Sequence, residues 1–562
     1  MNVQPRPLST SSRGRILGCR PALSSAARTS LELGGLFVLL LGIAAVVYGP
    51  HVEGGGFVGD AWTTRAWYLL YPHGDFFATV NHFLGLSSMS TRPLNAVYRV
   101  LLNDTLGGDM GAWFAWQAIS CAAMSTLLYL LLRRLRFPVL DGAVIAILVF
   151  VFPAATSLRF WTPVIHASLA ISLAILGFLA ALAAFDTRGR RRGAALHACS
   201  LVLFVASLLL YEVALPIMLV SVLLYRLRVP WPRAARRWLL DLAVLLPIAL
   251  AVTRSAGAAA QQQIGSGALA HAWSILTDCP RLLVDTLLPF GGWYALGALA
   301  VLVAASLALL RLLPADDPRL PPLRRYLAVF GAGLLVALLG YSIYAPGIDY
   351  YHPTAPGIAD RINAVAGVGW VLALYAGTGL LAVLLAGRQR TRVAVPAVLL
   401  AGATLLIAAW LPIVARDSRD YVAAYREGRR ALAAVRSAVP DPAPGTTIWT
   451  FGQPVQIAPG VPVFGNTWDM TDSVALMYRD ATIRSYVDFP GTILECRANW
   501  LAPFGNGSYP AATPPESSEF ASRYGSIYFV DTVTGQSAAI GSRGGCLRAL
   551  RVFHPSPELP PT

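Results

Sequence analysis

Long apolar runs recur along the first 414 residues and constrain the fold more than any other feature of the sequence. A helix needs about 20 largely apolar residues to cross a bilayer. Eleven runs approach this length: 31–49, 111–132, 139–155, 163–185, 195–211, 213–227, 238–254, 291–312, 326–345, 364–386 and 393–414. We therefore expect an all-α polytopic membrane domain of about eleven transmembrane helices, of which 139–155, 195–211 and 213–227 are short.

The charge of the chain supports this expectation. Of 562 residues, 56% are hydrophobic and only 13% are charged, yet the formal net charge is +15. Soluble domains average about 25% charged residues, so the hydrophilic surface that a nucleic-acid-binding protein needs is missing. The composition excludes an ordinary soluble enzyme, a disordered chain and a disulfide-rich secreted domain. We expect the lipid bilayer as a partner and no nucleic acid.

Every lysine-or-arginine position is an arginine, and the positions of these arginines predict the orientation. They cluster in the N-terminal tail and in every second connection between the predicted spans: 133–136, 188–192, 226–237, 311–325 and 388–392. Cytoplasmic loops of membrane proteins carry an excess of basic residues. The tail is therefore expected in the cytoplasm, and an odd number of spans places the C-terminus outside it. The arginine-only basic set and abundant alanine indicate a bacterial inner membrane.

Three parts follow from this topology. An arginine-rich cytoplasmic tail covers 1–30, and the transmembrane domain covers 31–414 with a large first outer loop at 50–110. Residues 415–562 have a soluble composition and predict a small α/β extracytoplasmic domain.

The C-terminal domain begins with a predicted helix at 417–437, which ends before Pro440, and continues with short β-like runs between Gly and Pro turns. Cys496 and Cys546 lie in this domain. Outside the cytoplasm the two cysteines can form a disulfide.

Short motifs on the outer side carry a family resemblance. Gly59-Asp60-Ala61-Trp62 follows the first predicted span, and Ser90-Thr91-Arg92-Pro93-Leu94 follows about thirty residues later. Phe152-Pro153 closes the third span, and Tyr211-Glu212 lies at the turn between the fifth and sixth. This order resembles the GT-C superfamily of membrane glycosyltransferases, which use polyprenyl-phosphate-linked sugars. The resemblance covers 31 to about 230 in pattern and the remaining spans in architecture.

One departure from the family pattern concerns its acidic pair. Here the pair is Gly59-Asp60, a single carboxylate. Either Asp60 acts alone, with Glu53 or Asp75 as a helper, or the protein has kept the fold and lost the activity.

The resemblance implies an inverting hexosyl- or pentosyltransferase that moves a sugar from a polyprenyl-phosphate donor to a cell-envelope glycan, glycolipid or protein. An acceptor hydroxyl is a poor nucleophile and needs a carboxylate base, while guanidinium groups stabilise the phosphate that leaves. We predict Asp60 and Asp75 as catalytic residues. The predicted donor-phosphate residues are Arg92, Arg159 and Arg361, and the predicted supporting residues are Glu212, His166 and His352.

Simpler interpretations stand beside these roles. Asp60 and Asp75 can cap the helices that follow them, Arg92 can anchor its loop to lipid headgroups, and Arg361 can pair with Asp360 at the interface. Glu212 can stabilise a turn, and both histidines can be interfacial hydrogen-bonding residues. Trp449 and Trp468 can stack on a sugar or pack in the core of the C-terminal domain.

The cofactor and the function class both leave alternatives open. His and carboxylate side chains near one another allow a divalent metal ion, but no spacing requires one, and no metal ligands are assigned. A transporter or flippase of envelope lipids is the first alternative function, although no internal repeat is visible in the sequence. The second is a non-catalytic membrane scaffold, for which eleven spans exceed what anchoring needs.

Overall fold

The apolar runs form long helices. A computed structural model of the chain describes residues 25–71, 74–255, 267–288, 292–346, 351–386, 391–504 and 520–554. Within this part, eight helices are long and apolar enough to cross a membrane: Ala27–Val47, Met110–Arg134, Thr162–Asp186, Arg190–Leu210, Trp293–Leu312, Leu320–Ser342, Gly357–Leu385 and Val393–Ala438. A multi-pass helical domain followed by a small α/β region is therefore confirmed, whereas the number of eleven spans is not.

The remaining helices before the α/β region fill the connections or form shorter passages. They are Gly49–Gly54, Ala61–Leu69, Phe76–Leu84, Ser87–Ser90, Pro93–Leu106, Val139–Phe150, Ser157–Phe160, Leu215–Leu219, Val222–Arg226, Trp231–Ser255 and Ala268–Leu282. Short 3₁₀-helical segments occur at Thr162–Val164, Glu212–Ala214 and Gly357–Ile362, and a π-helical segment occurs at Leu283–Leu287. The first outer loop is thus largely helical.

The third and sixth predicted spans differ from expectation. Val139–Phe150 has 12 residues, which as a helix measure about 18 Å against a hydrocarbon core of about 30 Å. The sixth is divided into the five-residue helices Leu215–Leu219 and Val222–Arg226. Apolar composition identified both segments, but it does not report where a helix stops. The seventh predicted span lies inside the helix Trp231–Ser255.

The arginine-rich connections meet at one end of the helical domain, which we call the arginine end. Ion pairs link them to one another and to the first helix: Arg133–Glu32 at 3.4 Å, Arg134–Asp186 at 3.7 Å, Arg228–Asp186 at 3.9 Å and Arg325–Asp141 at 2.6 Å. The clusters within 1–24 and 387–390 lie outside the described residues. The described connections thus share one end, as their alternation along the chain predicts.

A single helix of 48 residues, Thr391–Ala438, connects the helical domain to the α/β region. The predicted separate helix at 417–437 is therefore wrong as a separate element, because it continues the last apolar run. No proline or glycine occurs between Pro412 and Gly428, so nothing in that stretch ends the helix. At 1.5 Å per residue the helix is about 72 Å long, far longer than a bilayer core.

In the described parts of the α/β region, 439–504 and 520–554, there are two helices, Thr467–Tyr478 and Arg543–Phe553, and nine strands. The strands are β1 (Thr447–Phe451), β2 (Gln456–Ala458), β3 (Val461–Pro462), β4 (Arg484–Val487), β5 (Ile493–Cys496), β6 (Trp500–Phe504), β7 (Ser522–Arg523), β8 (Ile527–Asp531) and β9 (Ser537–Ile540). The main sheet has the order β4-β1-β8-β9, in which the first three strands are parallel and β9 is antiparallel.

The remaining strands form a three-stranded sheet, β5-β6-β7, and the hairpin β2-β3. Trp449 in β1 is paired in register with Tyr486 and Phe529 and is fully buried, so it packs in the core. A disulfide joins Cys496, at the end of β5, to Cys546 in the last helix. The buried residues of the α/β region continue the main core of the helical domain, which reaches them through Tyr421, Leu432 and Val435 of the long helix.

Candidate active site at the end opposite the arginines

Asp60 lies where the first outer loop meets the α/β region. It precedes the helix Ala61–Leu69, but its side chain makes no capping hydrogen bond. Instead, its Oδ1 accepts a hydrogen bond from Trp468 Nε1 at 2.9 Å, and Asn466 Nδ2 lies at 3.5 Å. The carboxylate therefore faces the helix Thr467–Tyr478, which packs against Ala61–Leu69.

The residue directly before Asp60 has a backbone conformation that favours glycine. Gly59 has a φ of +55°, a conformation that side chains with a Cβ rarely adopt. A Cβ at this position would lie 3.4 Å from Pro462 Cγ and 3.7 Å from both Asp469 Oδ2 and Trp161 Nε1. Gly59 thus lies between the segment of Asp60 and the segment of Asp469.

Two further carboxyls, missed in the sequence, lie beside Asp60. Asp469 is fully buried, and its Oδ2 accepts from the backbone amides of Gly465 and Asn466 at 2.9 and 3.0 Å. Burial, and next the charge of Asp60, raise the pKa of Asp469 well above its ordinary value. The same two causes raise the pKa of Asp472 to about 6. The acidic pair that the sequence lacks locally is thus present in space.

The sequence around Asp469 contains a recognisable pattern, but this pattern concerns only the start of its own helix. Asn466 and Asp469 form a capping box at the start of Thr467–Tyr478, a spacing that marks helix N-termini. That pattern predicts a helix start and says nothing about a partner more than 400 residues away.

Arg361 packs over the ring of Trp161, whose Nε1 edge lies near Gly59. Its guanidinium carbon is 5.1 Å from the centroid of the Trp161 ring, and its Nη2 donates to the Tyr351 hydroxyl at 3.1 Å. Trp161 is itself fixed, because its Nε1 donates to the Val58 carbonyl at 3.2 Å. Trp161 therefore bridges the segment that carries Asp60 and the predicted phosphate-binding Arg361.

The neighbouring Asp360 stabilises the backbone around Thr156 and Ser157. It is buried and accepts hydrogen bonds from the amides and hydroxyls of Thr156 and Ser157. These bonds tie the Gly357–Ile362 turn to the start of the Ser157–Phe160 helix. The pairing of Arg361 with Tyr351 and Trp161 thus leaves Asp360 as a structural cap.

Arg92 and Glu212, predicted separately, form one ion pair. Arg92 Nε and Nη2 donate to the two carboxylate oxygens at 2.9 and 2.5 Å, and the guanidinium lies 4.7 Å from the centroid of the Tyr211 ring. Burial would raise the pKa of Glu212, but Arg92 holds it below its ordinary value. Both side chains remain about 30% exposed, so the pair faces open space at this end.

His166 lies behind Tyr211. The two rings are 4.8 Å apart between centroids, and His166 Nδ1 is 3.3 Å from Nη2 of the buried Arg99. Arg99 also donates to the carbonyl of Pro163. The sequence analysis did not select Arg99, because an arginine inside an amphipathic helix carries no signal of its own.

Three other predicted residues lie apart from this group. Asp75 caps the helix Phe76–Leu84, accepting from the Ala78 amide at 2.8 Å. Arg159 is buried and donates to the carbonyls of Phe152 and Val149 at 2.8 and 3.2 Å. It therefore satisfies the carboxyl end of the short helix Val139–Phe150.

His352 lies in the connection between Leu320–Ser342 and Gly357–Ile362, and its Nδ1 is 2.9 Å from Asp278 Oδ2. Its ring centroid lies 5.8 Å from that of His271. These contacts join that connection to the helix Ala268–Leu282.

An apolar cavity of about 660 Å³ opens between the helices below the Arg92–Glu212 pair. Its lining begins with Ala214 and Ile217, two and five residues after Glu212, and reaches Leu227 and Arg325 at the arginine end. The broken sixth segment forms one wall and Leu320–Ser342 another. The cavity thus runs along the helical domain from the predicted phosphate site towards the arginine end.

The described residues contain no group of three His, Cys, Asp or Glu side chains arranged to hold a metal ion. No protein-family model matches the chain, and no curated protein matches it in sequence. The resemblance to the GT-C superfamily therefore stays a prediction.

Proposed function

We propose that the chain is a GT-C-type integral membrane glycosyltransferase, which transfers a sugar from a polyprenyl-phosphate donor to an extracytoplasmic acceptor. The observation that carries the proposal is the position of Trp161, whose ring lies 5.1 Å from the guanidinium carbon of Arg361 and whose Nε1 donates to the carbonyl of Val58, two residues before Asp60. A base and a phosphate-binding cation that are both positioned through one fixed ring would provide the two groups that inverting transfer needs.

In the proposed reaction, the acceptor hydroxyl attacks the anomeric carbon of the donor sugar. Asp60 accepts the hydroxyl proton as the new glycosidic bond forms, and the bond between the anomeric carbon and the phosphate oxygen breaks. The electron pair leaves with polyprenyl phosphate, whose negative charge Arg361 and Arg92 stabilise. Glu212 holds Arg92 in place by its two hydrogen bonds.

In this proposal Asp469 and Asp60 differ in protonation state, and this difference decides which of them is the base. Burial, and next the charge of Asp60, raise the pKa of Asp469, so it stays protonated at a pH at which an ordinary aspartate is ionised. The proton stays on the buried carboxyl of Asp469, and the half-buried Asp60 serves as the base.

The apolar cavity supports a lipid-linked donor. Its lining is hydrocarbon over most of its length and starts within one helical turn of Glu212, so a polyprenyl chain can lie in it with its phosphate between Arg92 and Arg361. The proposal includes eleven passages of the chain, two of them short, a cytoplasmic arginine end in a bacterial inner membrane, and an extracytoplasmic C-terminal domain.

Two measurements on the purified full chain in nanodiscs test this function. Native mass spectrometry with undecaprenyl phosphate measures donor-lipid binding, for which we expect Arg361→Gln to weaken affinity about tenfold, the loss of one charge-assisted contact. Transfer is then measured as release of polyprenyl phosphate from a panel of polyprenyl-phosphate-linked sugars. We expect Asp60→Asn to slow release by about 10²–10⁴-fold with lipid binding retained.

Asp109→Asn is the matched control, because Asp109 caps the helix Met110–Arg134 through the Ala112 amide and asparagine caps equally well. A folded Asp60→Asn protein with full transfer rules out the assignment of the base. Lipid movement across the vesicle without transfer would instead support the flippase alternative.

A further inference from the structure

Trp468 has an unusual combination of exposure and fixation. Its side chain is 49% exposed, whereas Trp449 of the same region is fully buried. The indole is nevertheless held in one orientation, because its Nε1 donates to Asp60 Oδ1 at 2.9 Å. A large aromatic face therefore stands open to solvent directly beside the proposed base.

The helix that carries Trp468 is a rigid support. Its N-terminus is closed by the Asn466–Asp469 capping box, and Thr471 Oγ1 donates to the Ser485 carbonyl of β4 at 2.6 Å. The helix also packs against Ala61–Leu69 of the first outer loop. Ordering the ring on binding would thus cost little, since its main chain and its N–H are already fixed.

Two hydrogen-bonding side chains lie beside the ring. Asp60 Oδ1 accepts the hydrogen bond from Trp468 Nε1, and Asn466 Nδ2 lies 3.5 Å from the same carboxylate oxygen. Amide and carboxyl oxygens accept hydrogen bonds from hydroxyl groups, while an aromatic face contacts the C–H face of a ring. This combination suits a polyhydroxylated ring.

The carboxyl groups near Trp468 determine which charge a bound ring can carry. Asp469 and Asp472 lie on the helix whose start contacts Asp60, so three carboxyls are grouped beside the ring. Burial, and next the charge of Asp60, raise the pKa of Asp469, and the same two causes raise that of Asp472. An acidic polymer or a phosphorylated acceptor would add to that charge, whereas a neutral sugar would not.

We infer that Trp468, with Asp60 and Asn466 beside it, forms the acceptor subsite, and that the acceptor is a neutral glycan rather than an acidic polymer. The inference rests on the proposed function, of which it specifies the acceptor. The C-terminal region thereby contributes a binding face to the active centre, and the helical domain contributes the base.

The test is binding of a panel of neutral oligosaccharides, in the pyranose and furanose forms, to the full chain in nanodiscs. Saturation-transfer NMR measures affinity and identifies the sugar protons nearest the aromatic ring. We expect wild-type protein to bind at least one neutral oligosaccharide. Trp468→Ala should weaken that affinity about tenfold, and Trp468→Phe, which keeps the ring face, should retain most of it.

Trp273→Ala is the matched control, since Trp273 is 68% exposed on the helix Ala268–Leu282. If Trp468→Ala does not fold, Trp468→Leu replaces it and should lose affinity equally. Unchanged affinity in the folded variant, absence of binding to every neutral oligosaccharide, or tighter binding of an anionic one overturns the inference. Undecaprenyl phosphate binding in the same samples separates this failure from failure of the proposed function.

Discussion

At the scale of single residues, the site depends on carboxyls that come from segments far apart in the chain. Asp60 and Trp468 are separated by 408 positions, yet one hydrogen bond joins them. The sequence analysis selected Asp60, Arg92, Glu212 and Arg361 from short motifs and their side of the membrane. It missed Asp469, because local patterns predict helix starts and turns, whereas contacts across the fold depend on how elements dock.

The raised pKa of Asp472 predicts how stability varies with pH. Burial and the charge of Asp60 raise this pKa from 3.8 to about 6 in the folded chain. A raised carboxyl pKa favours the protonated folded state, so its contribution is complete below pH 3.8 and is lost as the pH rises through about 6. We expect Asp472→Asn to stabilise the protein at pH 8 by about 1 kcal/mol, after allowance for partial exposure.

Thermal unfolding of the full chain at pH 4 and pH 8 measures this effect. Asp441→Asn, at an exposed carboxyl of the same region, is the control and should shift both midpoints equally. A stabilisation by Asp472→Asn that is the same at both values contradicts the assigned cause.

At the scale of elements, the helices Leu320–Ser342 and Gly357–Leu385 pack with their backbones in contact. A Cβ on Gly369 would lie 2.3 Å from Ala337 N and 2.5 Å from the Gly333 carbonyl oxygen. A Cβ on Gly340 would lie 2.5 Å from Ala366 N. Small residues permit this approach, as they do in membrane helix pairs generally.

A methyl group at one of these glycines should therefore separate the pair. We expect Gly369→Ala to destabilise the protein by about 1–3 kcal/mol, since backbone atoms must move to admit the methyl group. Gly428→Ala is the contrasting change, because its Cβ would meet Phe464 Cζ at an ordinary 3.6 Å.

Replacing a helical glycine by alanine without a clash should stabilise by about 0.5–1 kcal/mol. Denaturation of both variants in the same detergent measures the difference. Equal shifts in the same direction would contradict the close packing.

The same elements show how far apolar periodicity predicts structure. Eight predicted spans became helices that are long and apolar enough to cross a membrane, because a run of about 20 apolar residues has few alternatives in a bilayer. The position at which the helix Val139–Phe150 ends could not be predicted, since the carbonyl groups at its end accept hydrogen bonds from Arg159, which follows Pro153 in the chain. Similarly, the sixth segment divides where the cavity opens, and this depends on its neighbours rather than on its own composition.

At the scale of the whole molecule, the arginine end and the candidate site lie at opposite ends of the helical domain. The positive-inside rule then predicts the side that each end faces. A single cysteine at Gly189, in an arginine-rich connection, and one at Thr534, after β8, report on the two ends. Both positions are exposed.

We expect a membrane-impermeant maleimide to label Thr534→Cys in spheroplasts and to label Gly189→Cys only after the membrane is opened. The background retains the Cys496–Cys546 disulfide and replaces the other four cysteines with alanine. Labelling of both positions in intact spheroplasts would contradict the topology.

The continuous helix Thr391–Ala438 fixes the rotational orientation of the α/β region relative to the helical domain. Each residue turns an α-helix by about 100° and advances it by 1.5 Å. One residue inserted near Arg416 would swing the α/β region by about 100° around the helix axis and carry Trp468 away from Asp60. Seven inserted residues would return it to within about 20° of its starting direction, but about 10 Å higher. The number of residues in this helix therefore sets both the direction and the height at which the α/β region presents Trp468 to Asp60.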